Sequence, residues 1–533
     1  MNTPTGQPME PILTAGQWRP GTPAAQFRAI DPTTGEAIGP AFPRSGGDDV
    51  EQAVDAAAQA ADALAALPPE RIAAFLDAYA DAIEAAKDTL VAIANAETGL
   101  PVSPRLADVE LPRTTGQLRQ AAHAVRTFAW TQPVIDTKAG LRAHFAPLHK
   151  PVLVFGPNNF PFAFNAVAGS DFASAIAARN PVIAKAHPSH PGTTKALAEL
   201  AHRAVVACGL PAATVQLLYD VEPELGLRLA GDRRIGAIGF TGSRGAGLAL
   251  KTAADAAGIP IYAEMSSVNP VFVLPGALRE RGDALAQEYF ASSTMGSGQF
   301  CTNPGIVIAP TGADGDAFVA QAAAKFEAAA PMVLFSQGVQ AHLHRSVQAL
   351  LRAGARIVAG SATATEPGSR YAPTLLEADA ATFLRNAEAL QQEAFGPVSL
   401  LLRYRDADEA VAIARAFDGN LTGTLHSAGD GSDDDAYGRI AAALRPRVGR
   451  LIDDKWPTGV AVSAAMQHGG PYPSTGHAGF TSVGMPGAIR RFAQWQSYDN
   501  VRDDRLPVEL RDANPIGVQR LVDGTWSDRA LHA

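Results

Sequence analysis

The chain is poor in cysteine, in charge and in uninterrupted apolar runs, and each shortage excludes something. Two cysteines in 533 residues, Cys208 and Cys301, cannot build a disulfide framework, so a reduced, cytoplasmic setting is expected. Charged residues make up only 18% against 47% hydrophobic, which excludes a disordered chain and provides for a large core. Basic residues number 44 against 53 acidic, a net charge of −9, so no face for nucleic acid or anionic lipid is expected. No apolar stretch reaches about 18 clean residues, so no membrane-spanning helix is expected. Met1–Pro8 has neither a basic nor an apolar stretch, and no secretory signal is expected there.

What is present is a long α/β pattern. The length suggests roughly three domains of about 150 residues. Residues 1–45 are rich in Pro, Gly and Thr and read as irregular or short-stranded. Asp48 and Asp49 are placed to cap a helix from Val50 to Leu67, which Pro68 stops. A second amphipathic helix follows Pro69 through Ile72, Phe75, Leu76, Tyr79 and Ile83, ending near Gly99 and Pro101. From residue 151 short apolar runs at 152–155, 182–185, 214–219, 235–240 and 260–263 alternate with helical segments near 163–178, 192–207, 223–230 and 244–257. Such alternation argues for a parallel sheet covered on both faces, binding its ligand at the carboxyl ends of the strands. A second α/β region begins after about 265, with strands at 271–274, 305–309 and 397–404 and a long helix near 281–295. Residues 129–150 read as an extended excursion, and the tail after Asp499 as polar and loop-like.

The rare thiol sits in a turn-like setting. Cys301 follows Gly296, Gly298 and Gln299 and precedes Thr302 and Pro304, poor company for core packing and good company for a nucleophile. Cys208, at a helix end, reads as packing. After the first strand, Phe155–Pro161 presents Asn159, whose amide can donate to an oxyanion. Lys185 ends a strand and leads into His187, Pro188 and Ser189, where a lysine can reach phosphate or ribose. Gly242 and Ser243 follow a strand and open a helix, a setting for a diphosphate, although the spacing is not G-x-G-x-x-G. Glu264 closes an apolar strand, where burial would raise its pKa toward that of a general base. Glu393 precedes Phe395, Gly396 and Pro397. Taken singly, each has a plain structural reading: a turn, a surface lysine, a salt bridge. No metal centre is expected.

In order and together, these segments resemble the aldehyde dehydrogenase superfamily from about residue 25 to the tail. The matching pieces are the Asn159 loop, the Phe240–Ser243 turn, strand-end Glu264, the Gly298–Thr302 nucleophile loop and the Glu393–Pro397 motif. Segments 185–191, 264–270, 300–305 and 456–473 resemble the branch of 2,5-dioxopentanoate dehydrogenases, close to NADP-dependent fatty aldehyde dehydrogenases. The resemblance implies a Rossmann-like cofactor domain (1–128 and 151–264), an α/β catalytic domain (265–487), a small β oligomerisation element (129–150 and 488–501) and a tail (502–533). It implies Cys301 as nucleophile, Asn159 as oxyanion donor and Glu264 as base. Lys185, His187, Ser189, Gly242, Ser243, Glu393 and Phe395 would hold the cofactor. Arg113 and Gln117, with neighbouring Arg119, would meet the substrate, and His468 would lie close to the site. Proline at 188, where NAD-preferring members carry a glutamate, removes a charge that repels a 2′-phosphate, so NADP is expected, with NAD as the alternative. A homodimer or homotetramer is implied. Asp453 and Asp454 would disfavour an anionic substrate if they point inward. Other readings are a medium- or long-chain aliphatic aldehyde dehydrogenase, a CoA-acylating dehydrogenase, a cofactor-free thioesterase and a non-catalytic scaffold.

Overall fold

Two seven-stranded sheets carry the chain, and one of them has a reversal of strand order at its middle. The structure is a computed structural model that describes residues 9–361, 364–365 and 367–531; Met1–Pro8 lies outside the described residues. The first sheet runs Ile261–Glu264, Ala237–Thr241, Val152–Phe155, Val182–Lys185, Val215–Leu218, Ile12–Thr14, Gln17–Arg19. The first five strands are parallel, and the last two add antiparallel. The five are short and almost wholly buried, as a parallel sheet with both faces covered demands. From Val152–Phe155 the chain steps outward to Val215–Leu218, then returns to lay Ala237–Thr241 on the opposite side. That reversal opens a crevice at the strand ends. The register aligns Phe155 with Lys185 and Phe240, and Thr241 with Glu264, so the residues that follow each strand emerge along one edge.

The second sheet runs Arg356–Ala359, Thr374–Asp379, Val398–Tyr404, Ile306–Pro310, Val271–Val273, Asn420–His426, Val448–Asp453, parallel except for its first strand. Alternate residues serve opposite faces. Phe272, Ile306, Ile308, Leu400 and Leu402 pack in one core cluster, and Val271, Val273, Val307, Ala309 and Leu401 in another.

Local expectations differ from the structure in four places. The first helix, Gly47–Ala65, has Gly46 at its N-cap, and Asp49 instead accepts from Thr22 N–H and pairs with Arg19. The single helix read after Pro69 breaks at Ala86 into Pro69–Ala85 and Lys87–Thr98. The segment near 163–178 is helical only over Ser170–Ala177, because Asn165 draws the backbone into a turn. Its amide donates to Pro161 O and accepts from Val167 N–H. The tail is not all loop: Arg520–Val522 and Thr525–Ser527 extend the sheet of Ala493–Asp499, Leu141–Pro147 and Val134–Asp136 to five strands. Each is three residues long, too short to show a pattern; the two pair with each other, and Arg520–Val522 docks on Val134 and Ile135, far away in sequence.

Candidate active site

A cleft of about 440 Å³ lies along the edge where the first sheet ends. Asn159, Gly242, Ser243, Glu264, Cys301, Glu393 and Phe395 all line it, as does His187. Cys301 reaches it from the second sheet, just before Ile306–Pro310. Its loop is built for close approach. Gly296, Ser297 and Gly298 have φ of 56°, 58° and 68°. A Cβ on Gly298 would lie 2.1 Å from the Gly396 carbonyl oxygen, so glycine there seats the nucleophile loop against the Glu393–Pro397 motif. Asn269 holds the other side, donating through Nδ2 to the carbonyls of Cys301 (2.9 Å) and Asn303 (2.8 Å). Asn269, whose φ is 46°, had no assigned role from sequence.

His468 completes the site. Met265 N–H donates to Ser474 O at 2.7 Å, and Glu264 bridges Thr475, so the 468–475 segment crosses the end of Ile261–Glu264. His468 Nε2 then lies 3.5 Å from Cys301 Sγ and 3.0 Å from Glu264 Oε1. Ser482 Oγ donates to Glu264 Oε2 at 3.0 Å and bonds the His468 carbonyl at 3.0 Å. Glu264 and His468 are both nearly fully buried. The Nε2–Oε1 approach lacks hydrogen-bond direction, and Oε1 has no hydrogen-bond partner among the described residues. The sulfur, nitrogen and carboxylate atoms lie within 4.8 Å of one another, a spacing that three metal ligands could also share.

The electrostatics correct one expectation. Burial does push Glu264 upward, but His468, Ser482 and Cys301 outweigh it and bring the carboxyl below its ordinary value. Burial and the Glu264 charge drive the Cys301 thiol well above its ordinary value, with Arg113 opposing. The cluster at rest is therefore thiol and carboxylate. Elsewhere in the cleft, burial lifts Glu393 to about 7, against hydrogen bonds from Ser266 and Ser267.

Asn159 donates through Nδ2 to Gln299 O at 3.0 Å, and its own carbonyl accepts from Arg105 at 2.9 Å. A primary amide has two N–H donors, so one is left beside Cys301. Ser243 caps the helix Arg244–Ala257, and Gly242 and Ser243 put the start of that helix at the cleft, a setting that suits a diphosphate. His187 Nδ1 accepts from Ser189 N–H at 3.1 Å. Burial, with His190 and Lys185 nearby, drives His187 well below its ordinary value, so it is neutral and offers an Nε2–H. Lys185 pairs with Asp220 at 3.2 Å, and Arg44 shares that carboxylate. This donor set suits a dinucleotide: amide N–H groups for phosphates, an acid for ribose hydroxyls and an aromatic ring beside the thiol.

The substrate candidates separate. Gln117 is buried and donates to Ala163 O at 3.1 Å, bracing the loop behind Asn159. Arg119 turns to the surface and pairs with Asp81 and Glu84. Arg113 stays, its guanidinium over the rings of Phe160 (5.5 Å) and Phe164 (5.1 Å). Asp453 and Asp454 point outward, to Tyr437 and Arg281, so they do not oppose an anion in the site.

A strand-end crevice, a cofactor cleft and a buried thiol–imidazole–carboxylate cluster describe an oxidoreductase that works through a covalent cysteine. The aldehyde dehydrogenase family pattern matches residues 18–496, and the chain belongs to that family of enzymes. It is 42% identical over 518 residues to alpha-ketoglutaric semialdehyde dehydrogenase 2 of Azospirillum brasilense, covering 94% of this chain and 96% of the relative. It is 36% identical to the alpha-ketoglutaric semialdehyde dehydrogenase of Acinetobacter baylyi, with the same coverage of each. Lactaldehyde dehydrogenase from Escherichia coli shares the fold, with a TM-score of 0.78 at 21% identity over 92% of this chain and 98% of that one. The family uses NAD(P), and no helix among the described residues is long and apolar enough to cross a membrane.

Proposed function

We propose that the protein oxidises 2,5-dioxopentanoate to 2-oxoglutarate, using NADP in preference to NAD. The observation that carries the chemistry is His468 Nε2 set between Cys301 Sγ and Glu264 Oε1 at one end of a dinucleotide-sized cleft. The two semialdehyde dehydrogenase relatives support the substrate. Cys301 sulfur adds to the aldehyde carbon as its proton leaves through His468, giving a thiohemiacetal. Its oxyanion accepts from the Asn159 amide and the Cys301 N–H. The bound cofactor supplies the acceptor for the hydride lost from that carbon, which becomes a thioester. Glu264 Oε1 then takes a proton from water, the hydroxyl attacks the thioester, and the Cys301 thiol is released with the carboxylate product. A free carboxylate beside the sulfur favours water over a CoA thiol as the resolving nucleophile.

Glu393 would hold the nicotinamide ribose, and Gly242 and Ser243 the diphosphate. Lys185, His187 and Ser189 would sit at the adenosine end, where Pro188 adds no repulsion and neutral His187 offers a donor to a 2′-phosphate. The five-stranded sheet at Leu141–Pro147 would pair subunits in a homodimer or homotetramer, and residues 1–128 with 151–264 and 265–487 would act as cofactor and catalytic domains. A cytoplasmic setting fits a free, reduced nucleophile.

Steady-state kinetics with 2,5-dioxopentanoate, succinate semialdehyde and a medium-chain aliphatic aldehyde, each with NADP and NAD, test this reading. The highest kcat/KM is expected for 2,5-dioxopentanoate with NADP. A higher value for the aliphatic aldehyde sinks the substrate assignment, and a higher value with NAD sinks the cofactor assignment.

A further inference from the structure

Two half-buried arginines in the residues around Cys301 carry buried guanidinium nitrogens without hydrogen-bond partners. Arg105 and Arg113 both stack on Phe160, yet only Arg105 is paired, with Glu110 at 2.5 Å and the Asn159 carbonyl at 2.9 Å. Arg113 Nε and Nη2 are buried with no hydrogen-bond partner among the described residues. These two nitrogens form one edge of the guanidinium fork, the edge that binds a carboxylate through two parallel bonds. Arg450, on Val448–Asp453, approaches from the other sheet. Its Nη1 touches Met466 Sδ at 3.7 Å and its Nη2 makes long contacts of 3.5 and 3.3 Å to the carbonyls of Pro457 and Gly459. Its Nε is buried and unpartnered.

Both arginines border one apolar cluster. Phe160, Phe164, Phe300 and Val483 form it, Met466 packs against it, and the Phe164 ring lies 6.0 Å from that of His468. The cluster ties both to the nucleophile loop: Phe160 follows Asn159, Phe300 precedes Cys301, Arg113 lies over Phe160 and Phe164, and Arg450 touches Met466. An unpartnered buried donor costs about 1–3 kcal/mol, and more when it is charged. A simple aliphatic aldehyde offers these groups nothing, whereas a substrate with oxygen atoms at its far end satisfies them.

We propose that Arg113 and Arg450 are the specificity determinants of the site. The unpartnered fork edge of Arg113 takes the distal carboxylate of the aldehyde, and Arg450 Nε donates to a carbonyl oxygen next to that carboxylate. The inference deepens the 2,5-dioxopentanoate reading and rests on it for the second contact only. Sequence reading placed Arg113 near the substrate among other candidates and missed Arg450, which looks like an ordinary strand residue.

Three aldehydes separate the contacts: pentanal, 5-oxopentanoate (which adds the carboxylate) and 2,5-dioxopentanoate (which adds the 2-oxo group). In Arg113→Gln the ratio of kcat/KM for 5-oxopentanoate over pentanal is expected to fall about 100-fold, with partial recovery in Arg113→Lys. In Arg450→Gln the ratio for 2,5-dioxopentanoate over 5-oxopentanoate is expected to fall about tenfold. Product inhibition by 2-oxoglutarate should weaken in both, a readout that a purely structural arginine would not move. Equal losses on charged and uncharged aldehydes, or a wild-type enzyme indifferent to the carboxylate, overturn the proposal. If wild-type enzyme prefers 5-oxopentanoate to 2,5-dioxopentanoate, the substrate reading and the Arg450 contact fall together, while the Arg113 ratio still decides the carboxylate contact.

Discussion

Glu264 and Glu393 line the same cleft, yet their acidities move in opposite directions. Burial raises both. Glu264 has His468 against one oxygen and Ser482 on the other, so it ends below its ordinary value. Glu393 has only a 3.5 Å contact from Ser267 N–H and a hydrogen bond from Ser266, and it rises to about 7. Burial sets the cost of a charge, and the partners decide whether the charge survives. In the proposed reaction, the acid that would activate water stays ionised over the working pH range, while the acid that would hold the ribose is poised near neutrality.

The strongest way to break this contrast is to remove the acid at the thiol end. Glu264→Gln is expected to lower kcat by about 10³-fold and to leave a thioester on Cys301 detectable by mass spectrometry. Rapid turnover without that intermediate would show that another group activates the water. Asn159→Ala should cost about 10²–10³-fold in kcat with the melting temperature near wild type, since it removes one oxyanion donor.

The remaining two changes sharpen the comparison. His468→Asn takes the main partner from Glu264 and leaves burial unopposed, so the acid limb of kcat should move upward from below the ordinary 4.5. The sign follows because a higher pKa leaves Glu264 protonated, and inactive as a base, over more of the acid range. An unmoved limb would mean that the imidazole does not hold the carboxylate ionised. The smallest effect is expected at the ribose end. If ionised Glu393 accepts the ribose hydroxyls, cofactor KM should fall as pH rises through about 7, and Glu393→Gln should raise KM roughly tenfold and flatten that dependence.

Sequence alone made Cys301, Asn159, Ser243 and Glu393 legible as candidates because turns betray themselves locally. Glycine, proline and asparagine next to a strand announce a turn that holds a side chain at the strand's edge, after it for Asn159 and Ser243 and before it for Cys301 and Glu393, and all four line one cleft. The strands of the first sheet were equally plain, since parallel strands buried on both faces read as unbroken apolar runs. The three-residue strands of the tail were not, because they are too short to carry a period and only a distant strand at Val134 and Ile135 docks them into a sheet. Charge states were also out of reach: burial alone predicts a raised Glu264, and nothing local to that strand shows the imidazole beside it.

The sequence by itself was enough for the family, through motifs in a fixed order, for the parallel strands of the first sheet, through apolar patterning, and for Cys301 as the candidate nucleophile. Tertiary structure alone decided the partnerships. It set His468 close to both sulfur and carboxylate, sent Arg119 and Asp454 to the surface, and left Nε and Nη2 of Arg113 and Nε of Arg450 buried without partners. The physical reason is that electrostatic energy depends on distance through space and on exclusion of water, and neither is written along the chain.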